Sequence, residues 1–222
     1  MRWFISFFLL LTITCHYVSA QEIKGWRIKS GTNIATQKWE NQSVKFVDIT
    51  YKSGQFYEVG REIKIKPFLS VVPSLAYQEM GFCSTIRPEV IDPGDYKDYI
   101  NHFRYVTLQA AFKLQPPNGK FKPYLMAGYQ GGVLLSSYLD AWSSFVAFLQ
   151  RVRHYDDGPV LTLGFEMETG KGFMPFLEFS HYRSVRNVLK NNLVSEIDVF
   201  GEPIIPVDVR NRVYTVGGGI KF

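Results

Sequence analysis

Three histidines of the mature chain, His102, His154 and His181, are of a type that could do acid–base chemistry. His154 is followed by Tyr155, Asp156 and Asp157, and a histidine held by an aspartate is a general base. Hydrolysis by that route would also need an activated nucleophile, and no serine stands in a nucleophile-elbow context. No group of Cys, His, Asp and Glu has metal-ligand spacing, so no metal or cofactor is expected. Gly217-Gly218-Gly219 lies within an alternating run and opens no helix, so it is not a phosphate loop. Small residues there suit curvature or close packing between strands. The chemistry reads as non-enzymatic.

The remaining ionisable residues are numerous and regularly placed. Lys29, Glu58, Lys64, Lys113, Glu166, Glu168 and Glu178 each alternate with apolar residues along an alternating run, as do Arg27, Glu62 and Lys221. Cations and carboxylates gathered in a narrow, water-poor space must pair, because an unpaired buried charge is costly. These residues therefore predict a network of salt bridges, provided that one architecture turns them all to the same side.

That architecture is legible in the period of the chain. In the closing run Arg212 to Phe222, Tyr214, Val216, Ile220 and Phe222 fall on one face, while Thr215, Gly217, Gly219 and Lys221 fall on the other. The same alternation predicts strands over 23–36, 56–66, 68–80, 103–114, 121–136, 160–169, 173–186 and 212–222. The cleanest is 160–169, with Leu161, Leu163, Phe165 and Met167 against Thr162, Gly164, Glu166 and Glu168. Pro73 removes a ladder donor from its strand and predicts a bulge or local irregularity. The connections alternate long and short, with Pro67, Pro116-Pro117-Asn118-Gly119 and Gly170-Lys171-Gly172 marking the short ones. This predicts an all-β, eight-stranded antiparallel transmembrane β-barrel with long extracellular loops and short periplasmic turns. A soluble barrel would instead be apolar inside and polar outside. An eight-stranded barrel is filled by its own side chains, so a charged interior reads as a plug. A small porin or transporter with a narrow ion path is the alternative, and a rim-located lipid-modifying enzyme a further one.

Export is written at the other end. Arg2, the apolar run Trp3 to Ile13, and Val18-Ser19-Ala20 form a signal peptide with cleavage expected after Ala20. Residues 21–222 are then one barrel domain. Cleavage removes Arg2 and no acid, lowering the formal charge by one from +5. No Lys/Arg stripe of nucleic-acid-binding type is present, so nucleic acid is not an expected partner. Cys83 is then the remaining cysteine, which excludes a disulfide scaffold. No later apolar run is long enough for a membrane helix, so any span is by strands.

Several stretches resemble the PorT-like outer-membrane β-barrel family of Bacteroidota. The run Phe68-Leu69-Ser70-Val71-Val72-Pro73-Ser74-Leu75-Ala76-Tyr77-Gln78-Glu79-Met80-Gly81 is similar to its second hairpin arm. Lys122-Pro123-Tyr124-Leu125-Met126-Ala127-Gly128 is similar to a further strand, and Asn211-Arg212 with the terminal Phe222 fits its end. Ser74 departs from the family pattern, which often has an acid there, as does Trp26-Arg27-Ile28-Lys29 in the first strand. The resemblance implies a place in the outer membrane of a Gram-negative bacterium and a structural, anchoring or secretion-accessory role. A barrel in that membrane is expected to meet outer-membrane lipids and lipopolysaccharide, whose phosphates Arg151, Arg153 and His154 could contact, the barrel-assembly machinery during insertion, and other envelope or secretion proteins. A partner surface is expected in the third long loop, where a helical pattern over 140–152 carries Trp142, Phe145, Phe148 and Leu149.

Overall fold

The computed structural model describes residues 25–40, 47–86, 97–139, 153–170, 172–187 and 208–222. The leader and the 140–152 segment with Trp142, Phe145, Phe148 and Leu149 lie outside the described residues. Ten strands are present: β1 (Trp26–Glu40), β2 (Val47–Thr50), β3 (Lys52–Arg61), β4 (Ile63–Lys66), β5 (Leu69–Ile86), β6 (Lys97–Leu114), β7 (Phe121–Leu139), β8 (Tyr155–Met167), β9 (Met174–Arg183) and β10 (Asp208–Lys221). β2, β3 and β4 are consecutive segments of one barrel strand, interrupted at Tyr51 and Glu62, so the barrel has eight strands.

Every neighbouring pair is antiparallel, and β1 pairs with β10 from Arg27↔Lys221 to Glu40↔Asp208. The sheet therefore closes on itself. At the seam, Gly25 N donates to Phe222 O (2.6 Å), and Phe222 N donates to Trp26 O (2.9 Å). The short turns are tight. Gly119 has φ +119°, Gly170 +70° and Gly172 +82°, backbone conformations that side chains with a Cβ rarely adopt.

Burial is inverted relative to a soluble domain. Lys113 and Glu166 have no exposed surface, whereas Ile28 (54%) and Leu163 (57%) are more than half exposed. The outward face carries Trp26, Phe68, Phe121, Phe173 and Phe222 toward the short-turn end. Toward the long-loop end it carries Tyr57, Tyr77, Tyr129 and Tyr214. Aromatic girdles flanking an apolar band are the signature of a lipid-facing barrel wall. The stretch Leu69 to Tyr77 on β5 has the length of a tilted membrane-crossing strand.

Two details differ from expectation, and at Pro73 a local irregularity stands in place of a bulge. The strands run four or more residues further toward the long loops in β1, β5, β6, β8 and β10, and β2 fills part of the predicted first loop. Beyond the apolar band both faces of a strand can be polar, so the period disappears while the hydrogen-bond ladder continues. Pro73 causes no bulge on its own strand, since β5 stays in register with β6 from Leu69↔Leu114 to Ile86↔Lys97. The interruption falls on the other side: pairing with β3 stops at Gly60↔Ser74 and resumes in β4 at Ile63↔Val71. Arg61 and Glu62, opposite the residue that lacks an N–H, are skipped; Glu62 N instead donates to Gly25 O (2.7 Å).

Gly217-Gly218-Gly219 does pack closely at closure. Gly31 and Gly217 are register partners across the seam, and the buried Phe56 ring lies over both. A Cβ on Gly31 would stand 2.1 Å from Val216 O, and one on Gly219 2.2 Å from Ile28 O. Small residues on β1 and β10 make the space that one large ring fills.

Candidate functional site

The inward positions of all eight barrel strands converge on one block of charge. β1 supplies Arg27 and Lys29, and the β2–β4 strand supplies Glu58 and Glu62. Lys113 comes from β6, Glu166 from β8, Glu178 from β9 and Lys221 from β10, while β5 and β7 add Ser70 and Tyr124. Parity alone turns these side chains inward, because strand residues two apart share a face.

In one half of the block, Glu178 is the hub. Its carboxylate is bonded to the Arg27 guanidinium, and Lys29 Nζ lies 2.7 Å from Glu178 Oε2 and 2.8 Å from Glu58 Oε2. The Tyr124 hydroxyl donates to Glu178 Oε1 (2.7 Å) and accepts from Arg27 Nη2 (3.1 Å). The guanidinium also lies 4.3 Å from the Phe176 ring centroid, a favourable cation–π placement.

The other half is a closed ring of four groups. Lys113 is bonded to Glu166, Glu166 Oε2 lies 2.7 Å from Lys221, Lys221 lies 3.0 Å from Glu62 Oε2, and Glu62 Oε2 lies 2.8 Å from Lys113. Ser70 Oγ donates to Glu62 Oε1 (3.1 Å), and Gln115 Nε2 donates to Glu166 Oε2 (3.0 Å). Lys113 Nζ sits 4.2 Å from the Tyr124 ring centroid, so Tyr124 joins the two halves.

Four cations (Arg27, Lys29, Lys113, Lys221) thus face four carboxylates (Glu58, Glu62, Glu166, Glu178), and the formal charges cancel. A buried charge is tolerated only when paired and hydrogen-bonded, and here every member has a partner of opposite sign. Chemically, the block can hold the walls together across the lumen and obstruct it.

Five of the seven residues expected in this network belong to it: Lys29, Glu58, Lys113, Glu166 and Glu178. Lys64 and Glu168 do not. Both have inward parity, but Lys64 is exposed in β4 near the short turn, and Glu168 lies past the end of β8. Glu168 pairs instead with Lys122 at 2.9 Å on the exposed rim, and the hydrogen bond and charge of Lys122 hold its carboxyl below the usual range. Parity fixes the face and not the depth, and water at the rim solvates what the lumen would have to pair. The neutral members Tyr124, Ser70 and Gln115 carry no charge to draw attention. Inward parity on its own strand is the signal that finds Tyr124.

Toward the long loops the lumen changes character. Phe56, Phe82, Phe103 and Tyr105 are wholly or almost wholly buried, with Phe82 and Phe103 stacked at 6.2 Å. Neutral polar groups bond around them: Gln78 Nε2 donates to Thr107 Oγ1 (3.1 Å) and to Gln130 Oε1 (3.2 Å). Asp156, on the inward face of β8, accepts from Ser184 and from Asn211 Nδ2 (2.8 Å), and Gln37 Nε2 donates to Asn211 Oδ1 (3.0 Å).

The histidines are not assembled into a catalytic pair. His154 is exposed before β8, and neither neighbouring aspartate is bonded to it. The Asp157 carboxylate accepts from the Tyr129 hydroxyl (2.6 Å) and is bonded to Arg186, while Asp156 is held in the lumen. His181 faces outward and stacks on Tyr214 at 4.8 Å. Among the described residues no group of three or more potential metal ligands occurs.

No family model and no curated protein matches the sequence. Solved structures match the fold. The outer membrane protein OprG from Pseudomonas aeruginosa aligns with TM-score 0.50 at 12% identity, over 90% of this chain and 96% of that one. Neisserial surface protein A aligns with TM-score 0.46 at 12% identity, over 89% and 97%. Ail, the attachment invasion locus protein of Yersinia pestis, aligns with TM-score 0.41 at 15% identity, over 90% and 100%. At its identity the likeness to OprG concerns the fold alone.

Proposed function

We propose that the chain is an integral outer-membrane β-barrel protein of a Gram-negative bacterium with a non-enzymatic structural, anchoring or secretion-accessory role. One observation carries this reading. An apolar wall bounded by two sets of outward aromatics encloses a block of eight charges, seven of them buried, paired to formal neutrality. Such a barrel is at home in lipid and closed along its axis, so its work is done by its rim and loops. Placement follows the same logic. Both described ends, Gly25 and Phe222, lie at the short-turn end, which is the periplasmic side for a chain inserted after export, with the barrel-assembly machinery as partner in that step.

The PorT-like resemblance supports a secretion-accessory form of this role, in which the barrel anchors envelope or secretion proteins through its long loops. The experiment is a mild-detergent affinity capture from native membranes, read by mass spectrometry. Stoichiometric envelope proteins that disappear when Trp142, Phe145, Phe148 and Leu149 are replaced by Ser are the expected result. Recovery of the barrel alone overturns the accessory role and leaves the structural one.

A further inference from the structure

Directly beyond the outward aromatics, the wall formed by β9 and β10 becomes basic. On β9, Arg183 is the next outward residue after His181; on β10, Arg212 is the next outward residue after Tyr214. His181 and Tyr214 are register partners and stack, and Arg183 and Arg212 are register partners as well. Two guanidinium-bearing residues therefore stand opposite each other on neighbouring strands, one rung above a stacked aromatic pair. Like charges directly opposed on a sheet face are destabilising. Among the described residues no carboxylate is bonded to either arginine. The outward carboxylates elsewhere on this level are engaged, Asp157 with Arg186 and Glu79 with Arg104 (3.3 Å).

The surroundings sharpen the pattern. Arg210 and Lys38 form the next outward rung, on β10 and β1, and Arg186 flanks the band beyond β9. Aromatic residues bound the basic band on the short-turn side. Tyrosine and histidine at such a position sit at the headgroup level of a bilayer, so the opposed arginines are held where lipid phosphates lie. Arginine forks match phosphate oxygens in paired, charge-assisted hydrogen bonds.

We propose that Arg183 and Arg212 form a binding site for the phosphate of a phosphorylated outer-leaflet lipid, with the His181–Tyr214 stack packing beneath its sugar or acyl portion. The inference rests on the outer-membrane reading above and names one lipid class for it.

The test uses the full mature protein purified in detergent and lipid A carrying its phosphates as probe, with binding followed by native mass spectrometry. The double variant Arg183→Gln/Arg212→Gln is expected to lose at least about tenfold in affinity, while Arg61→Gln, on β3 toward the short-turn end of the barrel, binds as the unaltered protein does. Dephosphorylated lipid A should bind the unaltered protein no better than phosphorylated lipid A binds the double variant. Inorganic phosphate that competes at equimolar concentration would identify a free-anion site and overturn the lipid assignment. Equal lipid A affinity of the double variant and the unaltered protein, both showing the heat-dependent gel shift of a folded barrel, would overturn the site altogether. Membrane fractionation on a density gradient is scored separately. A barrel that binds lipid A in detergent but sediments with the inner membrane fails the location and not the site.

Discussion

Lys113 and Glu166 are bonded to each other across the lumen although their strands, β6 and β8, are separated by β7. The contact is possible because an eight-stranded barrel is narrow enough for inward side chains to meet over an intervening strand. With Glu62 and Lys221 it makes a four-membered ring whose members come from four different barrel strands. Each ion pair is thus also a tie across the barrel.

Removing one member of the ring should cost more than removing two. Glu166→Ala leaves Lys113 and Lys221 sharing Glu62, and a buried pair broken on one side costs about 3–5 kcal/mol. Lys113→Met combined with Glu166→Met leaves Lys221 with Glu62 and should recover at least half of that loss. Urea unfolding of the barrel in detergent, followed by the gel shift, measures both. A double variant as unstable as the single one would show that the ring does not act through charge balance.

Tyr124 should matter through its hydroxyl. Tyr124→Phe keeps the ring under Lys113 but removes the donor to Glu178 and the acceptor for Arg27, at a cost of about 1–3 kcal/mol. Tyr124→Leu should cost more, since it also removes the aromatic face. If Phe and Leu are equally harmful, packing and not hydrogen bonding governs the position.

The seam glycines should be graded by the space around them. Gly31→Val places a Cβ 2.1 Å from Val216 O and against the Phe56 ring, so the barrel should fail to close and run unshifted on a gel. Gly218→Ala, whose nearest neighbour would be 3.5 Å away, should fold normally. Normal closure of Gly31→Val would contradict the packing of Phe56 over the seam.

The exposed pair should be nearly silent. Lys122→Ala is expected to leave stability within experimental error, because Glu168 is solvated without it. The Glu168 carboxyl titrates lower in the folded protein than when free, so any contribution is present above its unfolded pKa and lost as pH falls through the folded one. A large effect of Lys122→Ala at neutral pH would place Glu168 in the buried network after all.

The charge block should also stop current. Planar-bilayer recording of the purified barrel is expected to show no open-channel conductance, since eight mutually paired charges occupy the lumen. Stable unitary steps would favour a narrow porin and show that the pairs part under voltage.

Period two over eight segments was enough to reveal the barrel, its strand number and the side of the wall on which each residue stands. Ile28, Leu163 and Val216 announced the lipid face, and Lys29, Lys113 and Glu166 the interior, because a strand sorts its residues by parity alone. Parity carries no information on depth. Lys64 and Glu168 therefore read like members of the plug, and only the tertiary structure puts them past it, in water. The closure register was equally hidden, since nothing local says that Gly31 meets Gly217 under Phe56. Nor could the chain alone tell that Lys113 reaches Glu166 over β7, or that Arg183 stands opposite Arg212. Those relationships depend on how far each strand slides along its neighbour as the sheet curls shut, a quantity set by the whole circuit of hydrogen bonds and by no single segment.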